Sequence, residues 1–254
     1  DSRATVLVRG SGNTGSAEST DGGDAYAKIV GDGNTADADA EDGRAVIVVR
    51  GNENEATAAA DGGGYASVRL TGRLNDGIGA ATGGRVTVFL GGEDNEGTAL
   101  ADDSRASVWA LSRESLMTAT ATEASRASTT HLGDTSTLTA SAEDGSVSRV
   151  SIYAVDSTAV ASALDGGEAT SRITGFSSVA ASDAVGAVSV SEIVGRDSAA
   201  STEADSGMSA RAAAFGDSNA VDGTRGRAVV VGANNVATAD DGGDVRVIGN
   251  NNEA

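Results

Sequence analysis

No proline, cysteine or glutamine occurs anywhere in the 254 residues, Lys28 is the only lysine and His131 the only histidine. At an average usage of about 5%, a chain of this length would carry roughly a dozen prolines. Proline lacks the N–H that a sheet ladder needs and is kept out of central strands. Its absence therefore points to segments that are hydrogen-bonded on both sides. Without cysteine there is no disulfide staple, and the thiol record that would report a redox compartment is missing. Aromatic residues make up only 3% of the chain against 39% apolar residues in all, so any core must be built from Ala and Val.

The charge is one-sided. A net charge of −19 and an isoelectric point near 4.2 would repel nucleic-acid phosphates and anionic membrane surfaces, so neither is expected as a partner. No apolar run approaches the ~18 residues of a membrane span, so no membrane insertion is expected. Residues 1 to 20 lack the segments of a signal peptide, and a secreted protein is expected to carry this sequence as its mature form. Low hydrophobicity with high net charge is also a signature of disorder. A sustained two-residue alternation argues against it.

The alternation is clearest from Ala45 to Gly64. Ala45, Ile47 and Val49 share one face of an extended segment, Gly51-Asn52-Glu53-Asn54 turns the chain, Ala56, Ala58 and Ala60 share a face of a second segment, and Asp61-Gly62-Gly63-Gly64 turns it again. This strand, turn, strand, turn unit recurs. Its first turn is marked by Gly followed three places later by Asn or Ser: Gly10 and Asn13, Gly31 and Asn34, Gly51 and Asn54, Gly72 and Asn75, Gly92 and Asn95, then Gly133 and Ser136, Gly175 and Ser178, Gly195 and Ser198, Gly216 and Asn219, Gly232 and Asn235, Gly249 and Asn252. Ser112 with Ser115 and Ala154 with Ser157 fill the two remaining places. From Gly10 to Gly216 the spacing is 20 or 21 residues, and the last two units shorten to 16 and 17.

Before each marker the inward positions are bulky, as in Val8, Ile29, Val49, Leu70 and Leu90. Beyond it they are small, as in Gly15, Ala36, Ala56, Gly77 and Gly97. Two walls of unequal size are what a thin solenoid interior requires, with strands ~10 Å apart across each coil and coils stacked ~4.8 Å apart. The sequence thus predicts an all-β, single-chain β-solenoid over residues 1–254, with twelve to thirteen two-strand coils in parallel and less regular coils over 217–254. Stacked this way it would form a rod on the order of 60 Å long.

Several inward positions depart from the pattern. Thr129, His131, Ser171, Ser189 and Ser191 are polar, and their hydroxyls are expected to bond to one another along the stack. Arg225 falls on an inward position where an unpaired charge is costly, so a distorted coil or loop is expected from about Asp222 to Arg227.

Chemistry is scarce. His131 lies on an inward position, there is no cysteine nucleophile, and no Ser sits in a G-x-S-x-G elbow. No catalytic, cofactor or metal residues are assigned, and the chain is expected not to be an enzyme. The second turns stack Asp21, Asp42, Asp61, Asp103, Glu123, Asp144 and Asp165, most of them in Asp-Gly turn signals. Calcium binding would relieve their repulsion, and ion pairing with Arg44, Arg85, Arg105 and Arg126 offers a competing relief. The outward side of the first strand holds Leu7, Tyr26, Val46, Val48, Phe89, Trp109, Leu111, Tyr153, Val190 and Phe215. Of these, Tyr26, Val48, Phe89, Trp109, Leu111 and Phe215 define a candidate face for lateral contact between rods. The outward side of the second strand carries threonines such as Thr35, Thr57, Thr98, Thr118 and Thr139, the kind of array that could order water, interrupted by Glu18, Glu55, Asp76, Ile78, Glu96 and Leu100.

The consensus A-x-V-x-V-x-G-x-x-N-x-A-x-A-x-A-x-D-G resembles the curlin repeat of curli-type bacterial amyloid subunits, most clearly from Ala25 through Gly31 and Asn34 to Ala36. Curlin repeats carry glutamine ladders where Val8, Ala40 and Val49 stand here. The resemblance implies a secreted, extracellular or cell-surface subunit that polymerises into surface, adhesive or biofilm-matrix fibres. Unpaired strand edges independently favour addition of another copy. The chain begins at Asp1 ahead of a first strand and ends at Asn252-Glu253-Ala254 after the last marker, so a missing half coil is expected to come from the next subunit, giving a head-to-tail fibre. The alternative is a monomeric binding module: an ice binder, a calcium-loaded spacer or an adhesin stalk.

Overall fold

The computed structural model describes residues 3–103, 105–123, 126–145, 147–185, 188–204, 209–224, 226–240, 244–251 and 253. The chain is an all-β parallel β-solenoid of roughly 11–13 repeats with ~20–21 residue spacing. No helix among the described residues is long and apolar enough to cross a membrane. Two compact units divide the chain, Asp1–Ser128 and Thr129–Ala254, and the strand Arg126–Asp134 contains the boundary.

In the first unit, one sheet is built from the strands before each Gly marker: Arg3–Arg9, Asp24–Val30, Arg44–Arg50, Tyr65–Arg73, Arg85–Glu93 and Arg105–Arg113. We call it the valine sheet. The strands after each marker form the alanine sheet: Thr14–Ser19, Thr35–Glu41, Glu55–Asp61, Asp76–Thr82, Glu96–Asp102 and Leu116–Thr122. Pairing is parallel and in register, so equivalent residues of successive coils are partners: Ile29 with Val49, Val49 with Leu70, Leu70 with Leu90. The second unit repeats the scheme, with Ile152 on Ile173 and Ile173 on Ile193 in its valine sheet.

Alternation places every second side chain between the sheets. Ile29, Ile47, Val49, Leu70 and Leu90 are fully buried from one side, and Ala36, Ala56, Ala58 and Ala60 from the other. Wall thickness is matched locally. A Cβ added at Gly77 would lie 2.8 Å from Leu70 Cδ1 and 2.9 Å from Val68 Cγ1, and one at Gly97 would lie 3.0 Å from Leu90 Cδ1 and Val88 Cγ1. Glycine therefore stands where the opposite wall is bulkiest, because a close-packed interior has no slack for an extra methyl.

The sequence reading had inward serines of the second unit bonding to one another along the stack, and three of them do not. They reach across it: Ser171 Oγ donates to the Ala181 carbonyl (2.5 Å), Ser189 Oγ to the Ser182 carbonyl (2.8 Å) and Ser191 Oγ to the Ser201 carbonyl (2.6 Å). The interior is so thin that the facing backbone, with a second lone pair on each carbonyl, is within reach. His131 is fully buried, and its Nε2 lies 3.0 Å from Ser136 Oγ.

Of the distorted coil or loop expected from about Asp222 to Arg227, the described residues form a shortened coil that is mostly strand. Ala220–Thr224 pairs with the coils on either side, and Gly226–Ala233 follows it, with Arg227 paired to Arg211. The shortened coil keeps its ladders, because its backbone is paired to the coils on both sides. Arg225 itself, together with Asp1, Asn252 and Ala254 of the expected half-coil junction, lies outside the described residues.

Gly77→Ala is expected to destabilise the chain by about 1–3 kcal/mol through overpacking. Urea unfolding should show this loss and its partial recovery when Leu70→Val is added.

Candidate self-association surfaces

The first turn is where the coils are clamped. Asn13, Asn34, Asn54, Asn75 and Asn95 occupy equivalent positions, and the last four are buried. In each step one side chain serves the preceding coil's turn twice. Asn54 Oδ1 accepts from the Asn34 backbone N–H (3.0 Å) and from Asn34 Nδ2 (3.1 Å), and Asn75 Oδ1 accepts the same pair from Asn54 (3.0 Å each). Asn75 Nδ2 also reaches the Gly51 carbonyl at 2.9 Å. Backbone bonds run the opposite way, from Glu55 N to the Asn34 carbonyl and from Asp76 N to the Asn54 carbonyl, both 2.9 Å.

The second unit uses serine for most of its steps. Ser136, Ser157 and Ser178 each donate a backbone N–H to the next coil's Ser Oγ at 3.1 Å, and Asn219 and Asn235 resume the asparagine form. The position three residues earlier varies too, though not strictly in step, since Gly133 ahead of Ser136 also has positive φ. Gly51 and Gly72 have φ of 136° and 140°, and a Cβ on Gly72 would run into the Gly51 carbonyl oxygen. Ser112 and Ala154, which stand at the glycine position ahead of Ser115 and Ser157, have no positive φ and need no glycine.

The ladder is directional. On one edge a coil offers side-chain oxygens, and on the other it offers the N–H groups that bind them.

The lateral-contact residues named from sequence are only partly brought together. Val48, Arg69, Phe89 and Trp109 form one outward row of the valine sheet. The Phe89 and Trp109 rings sit 5.3 Å apart, and the Arg69 guanidinium lies over Phe89 at 4.9 Å. Leu111 stands on the strand of Trp109 and is 52% exposed. Tyr26 lies in the neighbouring row with Val46, and Phe215 belongs to the second unit. There it joins a row that the sequence reading did not assemble, running through Tyr153, Thr174, Val194, Phe215, Val231 and Ile248. The signal for it was the position just before each Gly marker, visible only when coils are laid in register.

None of the ion pairs among the described residues joins Arg44, Arg85, Arg105 or Arg126 to the acid of its own turn. Exposed pairs repay little of the entropy of fixing a long side chain, and Arg44 lies over Tyr65 instead. Asp21, Asp42, Asp103, Glu123, Asp144 and Asp165 have positive φ, as turn residues do. Among the described residues no group of three or more His, Asp or Glu is arranged to hold a metal ion. On the alanine sheet, threonine rows are short: Thr98 pairs with Thr118 but also with Ile78. Asp76 lies in register between Glu55 and Glu96. Burial pushes its carboxyl pKa above the usual value, partly offset by the Gly77 N–H.

Fold and ladder together define the class, a parallel β-solenoid held by a polar turn ladder. Set against family models, curated protein sequences and solved structures, the chain matches none.

Asn54→Ala would leave the Asn34 N–H and Nδ2 without their acceptor in a buried site, and a cost of about 1–3 kcal/mol is expected for such a loss. Asn54→Ser, which copies the second unit's ladder, should cost less. Thermal melts of the two variants give the order.

Proposed function

We propose that the chain is a structural subunit of an extracellular fibre, growing head to tail by the addition of coil upon coil. The observation that carries this reading is the directional ladder. At the asparagine rungs the edge that presents N–H groups fits the edge that presents side-chain oxygens, so association that repeats this contact is heterologous, the kind that extends into an open filament when its rotation does not close a ring. Each addition repeats the hydrogen bonds already made inside the chain, as in cross-β stacking, and strand edges template such additions.

The resemblance of the repeat to curlin supports placing such a fibre outside the cell, as biofilm matrix or an adhesive surface fibre. Glutamine ladders are replaced here by the asparagine and serine ladder of the turns. A monomeric binding module, such as an adhesin stalk, draws support from the exposed row containing Tyr153, Val194 and Ile248. The broken threonine rows and the absence of a metal-holding group among the described residues give ice or calcium binding no comparable footing.

Electron microscopy and fibre diffraction of the purified chain separate the two readings. Unbranched filaments with a meridional reflection at ~4.8 Å are expected. Isolated particles at every concentration and incubation time would contradict filament growth.

A further inference from the structure

The sign of charge divides between the two faces of the first unit. Strands of its valine sheet carry ten basic residues and two acidic ones. Strands of its alanine sheet carry nine acidic residues and no basic one. The strands thus give faces of about +8 and −9, close to equal and opposite, in a chain whose net charge is −19.

Layout matches as well as sign. Arg44 and Arg50 bracket one valine-sheet strand, six residues apart. Glu55 and Asp61 bracket the next alanine-sheet strand, also six apart, so both faces have charged margins separated by ~20 Å. On one margin Arg85 and Arg105 are register partners in successive coils, as are Glu55, Asp76 and Glu96 on the other face. Between the margins each face mixes apolar groups with further charge of its own sign, Lys28 and Arg69 on the valine sheet and Glu18, Asp37 and Asp39 on the alanine sheet. The valine sheet raises Phe89 and Trp109 there, the latter 44% exposed. The alanine sheet has a shallow groove of about 300 Å³ walled by Ala80, Leu100, Asp61 and Asp102.

Internal pairing does not account for the cationic face. Among the described residues Arg73 and Arg113 share Glu93, whereas no ion pair engages Arg44, Arg50, Arg69, Arg85 or Arg105. Exposed arginines around an aromatic pair, opposite a carboxylate-rimmed groove on the same chain, form an interface drawn in two halves.

We infer that the partner of this cationic, aromatic sheet face is the acidic sheet face of a second copy of the chain, so that copies stack laterally, sheet on sheet. Apolar groups meet between the margins, and charges of opposite sign meet there and along each edge, the arrangement that gives an interface its register and specificity. This contact uses faces and not coil edges. It holds for isolated copies and for filaments alike, and it does not rest on the fibre reading. Packed sheets lie ~10 Å apart, about the Debye length at ~0.1 M salt, so the attraction acts at the contact distance and is sensitive to salt.

The test uses the full chain and reads width, not length, in electron micrographs, with sedimentation for any unpolymerised fraction. At low salt the wild-type chain is expected to associate side by side, and at about 1 M NaCl, where the Debye length is ~3 Å, the association should be lost. Arg85→Glu with Arg105→Glu, and separately Glu55→Arg with Glu96→Arg, should each abolish side-by-side association while the β-sheet circular dichroism stays unchanged. An equimolar mixture of the two variants should restore it, since each then supplies the face the other lacks. If a reversal variant does not fold, Arg85→Gln with Arg105→Gln should still weaken the association severalfold. A wild-type chain that stays single at low salt overturns the proposal, including the case where it is instead retained on an immobilised polyanion. So does a mixture that fails to restore association, or one that associates more strongly as salt rises.

Discussion

A parallel in-register sheet hydrogen-bonds its strands coil to coil, but its turns have no such guarantee. Backbone bonds still join most turn residues coil to coil, Gly51 N to the Thr71 carbonyl and Glu53 N to the Arg73 carbonyl among them, but the N–H at the buried asparagine position must find its acceptor out of reach of water. In this chain one side chain per coil meets that need. The amide of Asn54 receives both the N–H and the Nδ2 of Asn34, and the same exchange is repeated coil after coil. Because an unmet buried donor costs far more than a met one gains, this bond fixes the identity of one residue in every coil it joins.

Much else follows from that constraint. The turn must hold the same shape in each coil for the amides to align, and in the asparagine coils glycine with positive φ supplies it. Stacking at fixed spacing brings the walls close together, so side chains stay small and Gly77 gives way to Leu70. Proline would remove a ladder donor, and none is present. A bond with donor on one edge and acceptor on the other also gives the solenoid a polarity, and polarity is what allows continued addition of coils through their edges.

The period and the inward walls were legible because burial leaves little freedom at those positions: a residue between two sheets is nearly always small or aliphatic, and the turn is in most coils Gly with Asn or Ser. What the sequence alone misjudged lies where that pressure is absent or where distance in the fold decides. Ser171 and Ser191 were expected to bond along the stack, but the facing backbone is closer. Pairing of Arg44 and Arg85 with their own turns was one of two readings of the acidic turns, and it fails because nothing holds an exposed arginine to the nearest carboxylate. The side chain at Arg225 suggested a distorted coil or a loop from about Asp222 to Arg227, while the backbone ladders on both sides keep the described residues there mostly in strands. The row from Tyr153 to Ile248 and the division of charge between two faces need residues twenty positions apart to be set side by side, which register supplies and chain order conceals.

Amide hydrogen exchange measured residue by residue in the full chain tests the central role of the turn ladder most directly. Turn amides ordinarily exchange fast, because turns open locally at little cost. If the ladder clamps the coils, the backbone N–H groups of Asn34, Asn54 and Asn75 exchange as slowly as those of Ile47 and Val68 in the buried strands. Exchange of these asparagine amides at the rate of the exposed second-turn residues would contradict the account.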